Sequence, residues 1–177
     1  MNRSRELRAL LTLARAQLAS RSARIRFRDT ERSTSERVVD VLALAFDPPR
    51  WLVATWSTRG RSLRLLDLAR VLSVEPTRRR AGAPPDGFDP VDFSIRLFLD
   101  ASGPPRPKTI RVQPTWTRVA PALLPTCSVE PAPEGGALLH VRASRPEIVD
   151  ALAKSLSSLA ATGLSTTRRG SSRGTRT

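Results

Sequence analysis

The chain has no tyrosine, one cysteine, one histidine and only two lysines, Lys108 and Lys154. A single cysteine, Cys127, excludes an intrachain disulfide and fits a reducing compartment. With one histidine, His140, and one cysteine, no Cys/His zinc site can be assembled within the chain, and a histidine-assisted nucleophile has little to work with. His140 lies in an alternating stretch and Cys127 beside prolines, so both read as structural. No apolar run approaches the roughly 20 residues of a membrane span. The apolar stretch near the N-terminus, bracketed by Arg8 and Arg15, is only six residues long, too short for a secretory core. The expected location is cytoplasmic. The scattered carboxylates, including Asp86, Asp89 and Asp92, lack the spacing of a calcium loop, and no phosphate-cradling glycine loop occurs. The expectation is a protein that is not an enzyme and uses no cofactor.

What the chain does have is positive charge. Lysines and arginines number 30 against 16 acids, a formal net charge of +14, and 28 of the 30 are arginine. A GC-rich genome can favour arginine over lysine, but it does not by itself remove acids. The surplus therefore points to a polyanionic partner, nucleic acid or a phosphorylated ligand.

Periodicity predicts an α+β chain. Leu7, Leu10, Leu11, Ala14 and Leu18 recur at helical spacing in an N-terminal helix (1–22). Five short strands follow: ARIRF (23–27), RVVDVLALAF (37–46), RWLVATW (50–56), then SLRLLDL and VLSVE, with turns at DPP and STRGR. So many short strands with tight turns indicate a small, strongly bent sheet or barrel over 23–80. The Pro-, Gly- and charge-rich stretch 76–90 marks a boundary, with the linker placed at 81–93. A small α+β extension is expected over 94–163. Its parts are a strand at 93–100, a hairpin at 127–143 turning at Glu134-Gly135-Gly136, and a helix at 145–161 opened by Ser144-x-x-Glu147. Residues 164–177 read as a disordered basic tail.

In RLLDLAR, strand alternation puts Arg64, Leu66, Leu68 and Arg70 on one face, an apolar floor with two guanidinium groups able to grip a phosphate or carboxylate. The alternative is that both arginines pair locally with Asp67 or Glu75. Here residues 23–75 resemble a WYL domain, the Sm-like (SH3-like) β-barrel module of bacterial transcriptional regulators. Phe27 stands at the family's first aromatic, Arg37 at its arginine before the apolar strand, RWLVA (50–54) at the name-giving motif and RLLDLARV (64–71) at its arginine-flanked partner. The elements at 95–100 and 127–143 and the last helix resemble the extension that often follows the barrel. Arg50 and Trp51 replace the motif's Trp and Tyr, Val41 a proline, Leu66 a phenylalanine and Ala69 an acid, while Arg37, Arg64 and Arg70 are retained.

The resemblance implies that these arginines line a basic groove sensing single-stranded nucleic acid, a nucleotide or another anionic effector, so as to modulate transcription. Trp51 or Trp56 would be available to stack on a base, against the alternative of a core position. Arg78, Arg79 and Arg80, with Arg168, Arg169, Arg173 and Arg176, would add non-specific phosphate contacts. With 22 residues ahead of the barrel, there is no room for the family's winged helix-turn-helix, so a stand-alone sensor or truncated member is expected. The competing reading is a protein–protein module: Leu7, Leu11 and Leu18 would mediate a homodimer or dock a separate DNA-binding subunit, unless they pack on this chain's own sheet.

Overall fold

The computed structural model describes residues 3–30, 33–57, 59–95, 104–124 and 127–167. Helix α1 (Arg3–Leu18) buries Leu7, Leu10, Leu13 and Ala14 along one stripe, as the helical period requires. It is followed by β1 (Arg21–Arg28), whose arginines 24, 26 and 28 face out while Ala23, Ile25 and Phe27 face in. Next come β2 (Thr34–Asp47), β3 (Arg50–Ser57), β4 (Ser62–Asp67), a three-residue 3-10 turn (Leu68–Arg70) and β5 (Val71–Arg80). All neighbours are antiparallel in the order β4-β3-β2-β1-β5.

The expected barrel is not closed: among the described residues no hydrogen-bonded pairing joins β4 to β5. The sheet is nonetheless strongly curled. β4 and β5 are its opposite edges, yet only the 3-10 turn links them, and so short a link spans at most about 14 Å. Bulges between Val41 and Ala43 and between Arg26 and Phe27 supply the local bend. β5 also continues through Pro76 to Arg80, so the first five residues of the expected 76–90 boundary are strand; an edge position tolerates the missing N–H of Pro76.

Beyond it, α2 (Pro90–Ile95) replaces the start of the strand expected at 93–100, whose remainder lies outside the described residues. The strand β6 (Arg106–Val112), which the sequence reading did not assign, two short turns of helix, α3 (Pro114–Thr117) and α4 (Ala120–Leu123), the hairpin β7 (Ser128–Pro131) and β8 (Ala137–Ala143), and α5 (Pro146–Thr167) complete the chain. The second sheet has the order β6-β8-β7. Gly135 and Gly136 take left-handed backbone angles at its hairpin, and a Cβ at Gly136 would collide with the Val112 carbonyl oxygen.

Helix α5 buries Ile148, Leu152, Leu156 and Leu159, the face expected of it, and remains helical to Thr167, past the expected start of the tail. One continuous apolar core joins α1 and the curled sheet to β6, β8, α4 and α5. Two indoles tie these parts: Trp51 Nε1 donates to Ser155 Oγ (3.2 Å) and Trp116 Nε1 to the Leu156 carbonyl (3.0 Å).

Candidate anion-binding groove

The curl of the large sheet brings together side chains from all five of its strands. A groove of about 820 Å³ is lined by Arg24 of β1, Glu36 and Arg37 of β2, Arg59 and Gly60 of the β3–β4 turn, Arg64 of β4 and Arg79 of β5. Five arginines against one acid make it strongly cationic. Two of the five are partly neutralised. Arg24 lies 3.4 Å from Glu36 and 3.8 Å from Glu75, and Arg79 lies 3.6 Å from the buried Asp40. Arg37 sits over the Phe27 ring, 5.5 Å from its centroid, which holds the guanidinium in place without cancelling its charge. Arg59 and Arg64 are exposed and meet no carboxylate among the described residues. The turn that carries Arg59 is braced by the Gly60 N–H donating to Ser57 Oγ (3.3 Å).

A second groove of about 370 Å³ lies on the other side of Arg64 and is lined by Phe27, Leu65, Leu66 and Arg70 with Asp29 and Asp67. Neither Arg64 nor Arg70 pairs with Asp67 or Glu75: Glu75 faces Arg24, and Asp67 accepts the Ala69 N–H (2.9 Å). Arg70 is tied to main chain instead, donating from Nε to the Arg28 carbonyl (2.9 Å) and from Nη2 to the Asp29 carbonyl. It clasps the end of β1 to the start of β5, so it borders the smaller groove in a fixed position. Arg37 and Arg64 share the larger groove; Arg70 does not line it.

Trp51 belongs to neither groove. It is 1% exposed, packed at 5.1 Å against Phe46 and hydrogen-bonded to α5, so no base can stack on it. The run Arg78–Arg80 is split by strand alternation: Arg79 enters the groove, whereas exposed Arg78 and Arg80 face the other way. Arg168, Arg169, Arg173 and Arg176 lie outside the described residues. Arg24 and Arg59 were missed by the sequence reading. Arg24 had a signal, as an outward residue of the alternating ARIRF; Arg59, in a turn, had none.

The remaining candidates for chemistry have local explanations. His140 bridges Thr109 Oγ1 (2.9 Å) and Glu130 Oε2 (3.1 Å) on the surface of the second sheet. Burial pushes the half-buried Cys127 thiol up from its ordinary value, away from reactivity. Among the described residues no cluster of three His, Cys, Asp or Glu side chains is placed to hold a metal, and no helix is long and apolar enough to cross a membrane.

Residues 8–76 match the WYL domain family. The match begins inside α1, so the helix packed under the sheet belongs to the module. Among solved structures, proteasome accessory factor B/C (PafBC) of Arthrobacter aurescens is similar, with 22% identity and a TM-score of 0.44 over 85% of this chain. The chain spans 23% of that protein's length. No curated protein matches the chain.

Proposed function

We propose that this chain is the sensing part of a transcriptional regulator and that its arginine groove binds an anionic effector, with single-stranded nucleic acid or a nucleotide as the ligand. The observation that carries this reading is the clustering of Arg24, Arg37, Arg59, Arg64 and Arg79 around one groove with a single acid among them. Like charges held this close repel one another, and a phosphate backbone entering the groove relieves that repulsion while accepting forked guanidinium hydrogen bonds. The role is binding rather than catalysis, and its consequence is a changed activity of a DNA-binding element on another segment or subunit. The competing dimer through Leu7, Leu11 and Leu18 loses most of its contact stripe, because Leu7 is buried and Leu11 packs on this chain's own core, leaving Leu18 exposed.

Three guanidinium groups in the groove, those of Arg37, Arg59 and Arg64, have no acidic partner among the described residues. If each takes one phosphate, binding of a labelled single-stranded oligonucleotide should weaken with salt with a log–log slope of about −2 from the groove, at roughly −0.7 per phosphate. Arg64→Ala should flatten that slope by about 0.7. Arg37→Ala/Arg64→Ala should cost about tenfold or more in affinity at low salt, as two charge-assisted contacts require. A chain ending at Thr167 isolates the contribution of the last arginines. Binding that disappears with those arginines and ignores the double substitution refutes the groove as the site.

A further inference from the structure

Strand β5 is an edge of the larger sheet. It pairs with β1 and, among the described residues, with no strand on its other side. The main-chain groups of Leu72, Ser73 and Val74 that face away from β1 have no other partner there. An edge of this kind is a template for one more strand. Helix α1 packs alongside, and between helix and strand runs a groove of about 360 Å³, separate from the arginine groove of the sheet.

Its chemistry is one-sided. Arg5, Arg8 and Arg15 line it from the helix, Leu11 and Leu72 give it an apolar floor, and no acid borders it. Residues 5, 8, 12 and 15 fall at helical spacing, so the arginines form one wall along the strand edge. Arg8 and Arg15 are exposed. Among the described residues Arg8 engages only through Nε, donating to the Ser4 carbonyl (3.4 Å), and Arg15 meets no carboxylate. Their Cα atoms are about 10 Å apart along the helix axis, and alternate residues of an extended strand on one side are about 7 Å apart. The flexible guanidinium stems bridge that difference.

We infer that the α1–β5 groove docks an extended acidic segment of another protein as a sixth strand. Its main chain extends the ladder of β5 and its acids meet the arginines of α1. A nucleic-acid strand satisfies the arginines but offers no N–H and C=O ladder to the free edge, so the two features together select a peptide. The inference does not rest on the effector reading, because the two grooves share no residue.

The test is anisotropy of the full chain with a fluorescein-labelled dodecapeptide of alternating glutamate and valine, together with hydrogen exchange of the complex. We expect saturable binding, slower amide exchange in Leu72–Val74, and about tenfold or greater loss in Arg8→Glu/Arg15→Glu. A version of the peptide with proline at every valine should bind at least tenfold more weakly, since proline cannot donate to the ladder. Arg37→Ala/Arg64→Ala should bind the peptide as the unmodified chain does. Absence of binding, equal binding of the proline peptide, or loss that follows Arg37 and Arg64 overturns the inference. The exchange measurement needs no variant, so unchanged protection at Leu72–Val74 overturns it even where the charge-reversed chain fails to fold.

Discussion

Replacing Asp40 by asparagine tests whether the sheet and its groove are held as described. Asp40 lies in the middle of β2 and is 1% exposed. One carboxylate oxygen accepts the Ser22 hydroxyl at 2.6 Å, and the other accepts the Gly82 N–H at 3.1 Å and faces Arg79 at 3.6 Å. The residue thus fastens β1 to β2, pins the chain just after β5 and steadies one wall of the arginine groove. Asparagine keeps the shape and one acceptor but turns an NH₂ group toward a donor. Losing one charge-assisted bond and leaving a buried donor unmatched costs about 2–3 kcal/mol. The Arg79 contact adds little, because that guanidinium is 44% exposed and screened. For a chain of this length, about 2–4 °C of melting temperature accompanies each kcal/mol, so thermal unfolding followed by circular dichroism should fall by about 4–12 °C. Ser22→Ala, which removes one neutral donor, should cost about half as much or less. The folded variant should also bind oligonucleotide more tightly at low salt, since one negative charge beside the arginine groove is gone. A melting temperature within about 2 °C of the unmodified chain, with binding unchanged, would refute the account of Asp40 as the fastening of this corner.

Gly136→Ala should cost about 2–4 kcal/mol, because a left-handed backbone and a collision with the Val112 carbonyl coincide there. Gly135→Ala, left-handed but open, should cost about half of that in chemical denaturation, and equal losses at the two positions would contradict the described hairpin. Glu6 is nearly buried, and that burial, reinforced by nearby Asp67 and opposed by Arg3 and Arg5, raises its carboxyl above the ordinary value of 4.5. The folded state therefore holds the Glu6 proton more tightly than the unfolded chain, and this contribution is full below the ordinary value and lost as pH rises through the raised one. Glu6→Gln should accordingly melt higher than the unmodified chain near pH 7, with the gap closing near pH 4. A variant that melts lower near pH 7 would show that the charged form is the one the fold prefers.

Local pattern by itself determined most of the elements. The helical period of α1 and α5, the alternation of ARIRF and the two glycines of the second hairpin are short-range constraints that any packing must respect, and each is present. The order of motifs around RWLVA and RLLDLARV likewise marked the WYL segment, because a family keeps the spacing of its strands. Only packing decided the rest. RPKTIRV gave no clear signal for β6, since its proline, Pro107, and its charges are tolerated on an edge strand that has β8 beside it. DFSI turned helical in α2, where a short apolar run fits either state until a neighbour, here β2, is in place.

The site divides in the same way. Arg64 was legible as an arginine in a strand pattern and Arg37 through the resemblance to the WYL motifs, but their placement in one groove with Arg24, Arg59 and Arg79 required five strands to curl. Trp51 looked available for stacking until α5 covered it, and Arg70 looked available for a ligand until the backbone of Arg28 and Asp29 took its hydrogen bonds. Sequence sets which faces are apolar and how much charge the chain carries. Whether a given guanidinium faces a ligand, an acid or a carbonyl depends on residues distant in sequence, and so only the tertiary structure decides it.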